Sequence, residues 1–148
     1  FRLAKNHSAT IEQANKAITV MSKLSGKNPE NDEYKRNIAI YETERARAQI
    51  ELGKVSEAAA SLVGVLAVMG PIAERDKHTT TYQYDIAIAH RLMAQAQYRT
   101  GARERALESI NKSIEIIQVL KDSNSIRDAD KNLLAELSSE RARYANNE

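Results

Sequence analysis

The sequence predicts an all-α fold in which antiparallel helical hairpins stack as a solenoid, with no β-sheet. Three observations lead there. Alanine, leucine, glutamate, lysine and arginine are abundant in a chain of 148 residues with only two prolines and five glycines, a composition of high helix propensity. Apolar residues recur at helical spacing throughout, and no segment alternates convincingly with period two. Finally, "NIAIYETERARAQIELG" at 37–53 returns as "DIAIAHRLMAQAQYRTG" at 85–101, an offset of 48, and self-similarity at such a period marks a repeat architecture.

The elements follow in order. Thr10 and Gln13 have capping-box spacing, so a helix is expected at 10–25, with residues 1–6 as the tail of a preceding one. In "SGKNPEND" at 25–32, Gly26 suits a C-terminal cap and Pro29 the first turn of the next helix, placed at 30–52. Gly53 and Gly101 each end a long helix, because glycine takes a left-handed conformation without strain. Helices are expected at 55–75 and, after "RDKHTTTY", at 80–100, where Ile86, Ala89, Met93, Ala96 and Thr100 form one stripe. The next, 103–121, carries Leu107, Ile110, Ile114, Ile117 and Leu120, and "KDSNSIRD" leads to the last at 126–145. Short connections favour antiparallel neighbours. The reading is one helical-repeat domain, 1–148, with units at about 1–25, 30–76, 79–122 and 125–148. Because it begins at Phe1, it is expected to be a fragment of a longer protein.

Composition removes several functions. A net charge of +2 gives no electrostatic reason to expect nucleic acid, for which a concentrated basic face would be looked for. With no cysteine there is no disulfide, zinc-thiolate site or cysteine nucleophile, although this does not separate cytoplasm from periplasm. The longest apolar run, "SLVGVLAVMGPIA", has 13 residues, too few to span a bilayer, so no membrane contact is expected of this segment. His7, His78 and His90 lack a second ligand at helical spacing, and the five glycines never cluster into a phosphate loop. Carboxylates such as Glu42 with Glu44, or Glu30 with Asp32 and Glu33, are read as helix-start or solvated acids. No catalytic residue, metal or cofactor is assigned.

The repeat also shows how hairpins would close. Ile38, Ala39, Ile40, Ala46, Ala48, Gln49, Gly53, Ala58 and Ser61 have identical counterparts 48 positions on. "ARYANN" at 142–147 copies "AQYRTG" at 96–101, with Asn147 where the glycine stood, and "TIEQANKAI" at 10–18 resembles "KVSEAAASL" at 54–62. Glycine in the turn, alanine five later and alanine seven before gives Ala46, Gly53, Ala58 and then Ala94, Gly101, Ala106. In this pattern the chain resembles the tetratricopeptide-repeat (TPR) family over roughly residues 1–147. It departs in length, since that family repeats at about 34 residues. It departs also at Glu42 and His90, where a large aromatic is usual, and at Arg45, where a leucine is usual and Met93 is conventional. HEAT and armadillo repeats compete on period, but the glycine-to-alanine turn favours a TPR-like solenoid. Elongated, degenerate repeats of this kind look like those in C-terminal regions of bacterial serine/threonine kinases or in membrane-bound regulators.

The resemblance implies a right-handed superhelix whose first helices line a concave groove. Its groove-facing residues would be Thr43, Arg47 and Ile50, then Arg91, Gln95, Tyr98 and Arg99, then Leu137, Arg141 and Tyr144. Arginine and tyrosine suit interface hot spots, and the arginines fit a protein or peptide carrying acidic groups. Tyr41 is expected in the core, Tyr98 and Tyr144 in the groove. The family's chaperone-tail clamp is missing, since Thr43, Arg47, Leu92, Leu134 and Ser138 occupy its positions. Arg91, Arg99, Arg103 and Arg105 are either an anion-binding patch or a solvated helix end with Glu104 and Glu108 as partners. The function expected is a non-catalytic interaction scaffold in a bacterial signalling or regulatory protein. The alternative is a structural spacer or homodimer-forming module using "SLVGVLAVM".

Overall fold

The computed structural model describes residues 2–148 and is all-helical, with no strand among the described residues. Six α-helices follow one another: α1 (Arg2–Lys27), α2 (Asp32–Glu51), α3 (Val55–Arg75), α4 (Thr80–Arg99), α5 (Arg103–Asp122) and α6 (Leu133–Asn146). Each packs on the next in sequence, and α2 also touches α4. That is the neighbour-to-neighbour order of a helical repeat.

The apolar residues that drive this packing form two clusters. Ala39, Ile50, Leu62, Val65, Met69, Leu92 and Met93 centre the first, between α2, α3 and α4. Tyr84, Ala87, Ile110, Ile117, Leu133 and Leu137 centre the second, between α4, α5 and α6. Only α4 has residues in both. The four crossing alanines, Ala46, Ala58, Ala94 and Ala106, are 0% exposed. A larger side chain at any of them would force the helices apart, because interiors are packed to crystal density.

The hairpin turns repeat one geometry. Gly53 and Gly101 have φ of 77° and 83°, and Asn147 follows them with φ 58°. In each turn two amides reach back to carbonyls of the last helical turn: Gly53 to Ile50 and Lys54 to Gln49, Gly101 to Tyr98 and Ala102 to Gln97, Asn147 to Tyr144 and Glu148 to Arg143. These are Schellman closures, which satisfy carbonyls that a helix end leaves unpaired. Asn147 does take the place of the glycine, since asparagine tolerates this region better than most residues.

Four boundaries differ from the sequence expectation. First, α1 is continuous from Arg2, so residues 2–6 belong to it rather than to a preceding helix. Thr10 is no cap: its hydroxyl donates to the Asn6 carbonyl at 3.0 Å, the back-bond that lets threonine sit inside a helix. Second, Gly26 lies within α1, which ends at Lys27, and Pro29 sits in the turn. Asn31 caps α2 instead, its Oδ1 accepting from Glu33 N at 2.9 Å. Third, α6 begins at Leu133, after a 3₁₀ turn at Asp128–Asp130. That segment is held by Tyr84, whose hydroxyl accepts from Arg127 N at 3.2 Å while the Arg127 guanidinium lies 4.2 Å from the ring centroid. Fourth, the 13-residue apolar run lies inside the 21-residue α3, whose best 18-residue window has a mean hydropathy of 1.7. Length alone therefore does not bar α3 from crossing a bilayer; here it is packed between α2 and α4.

Candidate binding surface

The first helices of the hairpins, α2, α4 and α6, were expected to display a groove. Between α2 and α4 there is a cleft of about 180 Å³, lined by residues that include Ile40, Thr43, Glu44, Arg47, Asp85 and Ile88. Thr43 is half-buried and its hydroxyl donates to Ala39 O at 2.7 Å, so it offers little to a ligand. Arg47 is exposed, with Glu44 at 3.9 Å as its neighbour. Asp85 at the same cleft accepts from Arg36 Nε at 2.7 Å. The cleft thus has an apolar floor and one exposed cation, Arg47, within 3.9 Å of the Glu44 carboxylate.

Between α4 and α6 the expected groove residues hold the helices together instead. Arg91 donates from Nη2 to Glu140 Oε1 at 2.8 Å and from Nε to the same carboxylate, with Glu136 at 3.5 Å. Gln95 Nε2 adds a bond of 3.3 Å to Glu140 Oε1. Burial would lower the Arg91 pKa, but the Glu140 hydrogen bond and charge raise it overall, so the guanidinium stays charged. Tyr98 and Tyr144 stack with centroids 4.5 Å apart, and the Tyr98 hydroxyl donates to Glu148 O at 2.7 Å. Burial, with the Glu140 charge behind it, pushes the Tyr144 phenol up to about 12.

Several assignments need correction. Ile50, Leu137 and Tyr144 are 1%, 0% and 4% exposed; they are core, because the neighbouring first helix covers the face they were expected to present. Tyr41, expected in the core, is 38% exposed. Arg99 reaches α2, its Nη1 donating to Ile50 O at 2.5 Å and its Nη2 lying 3.6 Å from Glu51. Arg141 is exposed but turned toward α5, 3.4 Å from Asn111 Oδ1. Of the basic group near the second turn, Arg91 and Arg99 behave as described and Arg103 donates to the Tyr144 and Ala145 carbonyls. The partners of these three are carbonyls and acids of the adjacent repeat rather than Glu104 and Glu108. Arginine at the C-terminal carbonyls of a neighbouring helix also complements its dipole.

Sequence reasoning did not identify Arg36, Asp85 and Glu140 as a bonding set. A signal was present. The bonds Arg36–Asp85, Arg91–Glu140 and Arg99–Ile50 each span 49 residues, and Tyr98–Glu148 spans 50. Complementary groups one repeat apart are what stacked hairpins would bond.

Comparison with protein-family models, curated proteins and solved structures gives no match.

The remaining polar features are local. Arg45 stands where its repeat counterpart is the buried Met93. It is tied to Glu42, to Asn15 Oδ1 of α1 at 2.8 Å and to Ser61 Oγ of α3 at 3.2 Å. It thus pins three helices beside a cleft of about 430 Å³. His90 is half-buried, and burial, with help from the Lys112 charge, lowers its pKa. No three metal-ligating side chains converge among the described residues.

Proposed function

We propose that this chain is a non-catalytic interaction scaffold, a TPR-like right-handed solenoid whose first helices bind a peptide or neighbouring domain, within a bacterial signalling or regulatory protein. The observation that carries this reading is the α2–α4 cleft, where Ile40 and Ile88 provide apolar contact beside the exposed Arg47. Apolar area with one directed cation is what a short acidic segment needs for orientation. The small-residue crossings and left-handed turns support the TPR-like assignment, because they are the features by which that family closes its hairpins. Affinity capture with the wild-type chain and with Arg47→Glu tests it. A protein recovered by the first and lost by the second is expected; identical recoveries, or none, would refute the cleft.

A second reading is self-association. Between Glu57 and Glu74 the outward face of α3 carries Ala60, Val63, Gly64, Ala67, Val68 and Pro71, with no charged residue. A second copy could cover such a strip. Light scattering distinguishes the readings, a monomer favouring the first and a dimer the second.

A further inference from the structure

The long first helix is packed on one side only. Of its 26 residues, Ala14 alone is buried, and Leu3 and Val20 are 72% and 58% exposed. By contrast, α3 lies between α2 and α4, and α5 between α4 and α6. Beside α1 the flank of α2 is open too. Tyr41 and Glu44 are exposed, whereas their repeat counterparts Ala89 and Leu92 are buried in the first core cluster. A slot of about 500 Å³ results, lined by Ala9, Thr10, Gln13 and Ala17 of α1 and by Tyr41 and Glu44 of α2. It stands where α2 stands for α4, a place shaped for a helix, and its small floor residues permit close backbone approach.

The chain's own hairpin logic does not fill it. In the repeat alignment, Ala9 and Thr10 match Gly53 and Lys54, the turn that brings a first helix back along α3. Here α1 runs straight through that point as helix to Arg2. Residues 2–27 themselves therefore leave the slot uncovered.

Charge says which kind. Arg2, Lys5, Lys16, Lys23 and Lys27 face a single acid, Glu12, on α1. At ~100° per residue the five bases fall within an arc of about 60°, bordering the slot on the side away from α2. Among the described residues only Lys16 has a carboxylate partner, Glu12 at 2.8 Å. The rest of the chain is slightly acidic, since the total is only +2. A second copy would set this basic rim against its own equivalent, and a flat bilayer cannot enter a slot that reaches Tyr41. We infer that the α1–α2 slot binds an acidic amphipathic helix of a partner protein, its small or apolar stripe on Ala17 and Tyr41 and its carboxylates along the Lys5–Lys23 rim. This rests on the reading of the chain as a scaffold but uses the α1 side of α2, sharing only Glu44 with the lining of the α2–α4 cleft.

The test is fluorescence anisotropy of a labelled synthetic helix of about 20 residues, with alanine and leucine on one face and glutamate elsewhere. A control peptide replaces glutamate by lysine. Wild type is expected to bind the acidic peptide about tenfold or more tightly than the control, with affinity falling as salt rises. Ala17→Phe, filling the slot, and Lys5→Glu with Lys23→Glu, reversing the rim, should each weaken binding by about tenfold. Circular dichroism checks that both variants remain folded, and the rim pair is exposed enough to stand if Ala17→Phe does not. Ile88→Ala, an uncharged change in the α2–α4 cleft and outside the slot lining, should leave the affinity unchanged. No binding, equal binding of the two peptides, or loss with Ile88→Ala without loss at the slot would overturn the inference. So would wild-type self-association abolished by Ala17→Phe, which assigns the slot to a second copy. Binding to phosphatidylserine vesicles but not to the peptide would overturn it in favour of a lipid surface.

Discussion

At the scale of single residues, size and charge state carry the explanation. Ala58 is fully buried at a helix crossing, so Ala58→Leu is expected to cost roughly 1–3 kcal/mol through overpacking, read by urea denaturation. His90 acts through protonation. Its pKa is lowered by burial first and by Lys112 second, so the folded state prefers the neutral ring. Above the unfolded-state value both states hold it neutral and its contribution is intact. As pH falls through that value the unfolded state gains a proton that the folded state resists, and stability drops. His90→Gln should therefore flatten the fall in melting temperature between about pH 7 and pH 5. The crossing alanines and the turn glycines Gly53 and Gly101 were legible in the sequence because their job is set by size or φ alone, which identity reveals, whereas Gly26 serves no turn. Arginines were not. Arg91 and Arg47 are the same residue type on two first helices, and which one bonds across to another helix depends on whether that helix carries a Glu140. Tyr41 and Tyr144 were misplaced for the same reason: an aromatic fits either core or surface, and only the neighbouring helix decides.

Among the elements, helix periodicity located α2 to α5 to within a residue or two, because their apolar stripes are long and their ends carry glycine or a polar cluster. It misread α1, where capping-type residues occur inside a helix, and the start of α6, where Tyr84 draws the chain into a 3₁₀ turn. How α6 is attached was not read from the sequence, although Arg91 and Glu140 stand one repeat apart. Its Glu140, 6% exposed, is bonded by Arg91 and Gln95 of α4. Glu140→Ala would leave the Arg91 guanidinium half-buried without its main acceptor. The change should cost roughly 1–3 kcal/mol and speed amide exchange in α6 more than in α2. Arg91→Met, which removes the cation and keeps the packing stem, should restore part of that loss when combined with it; a double variant no better than the single one would contradict the pairing.

For the whole molecule, consecutive packing makes stability a property of neighbours. Helix α1 rests chiefly on α2 with one buried residue, whereas α4 contributes to both clusters. Hydrogen exchange followed by mass spectrometry should find α1 amides exchanging first and α4 amides last; uniform protection would mean a single cooperative unit instead. The shared position of α4 bears also on how the protein could be divided. A cut before Thr80 strips Leu62 and Met69 of their α4 wall, and a cut after Thr100 strips Ile110 and Leu137 of theirs. Whichever way the chain is severed, one piece keeps a sealed interior and the other is left sticky, so complementary fragments of this protein should find each other far more readily than either survives alone.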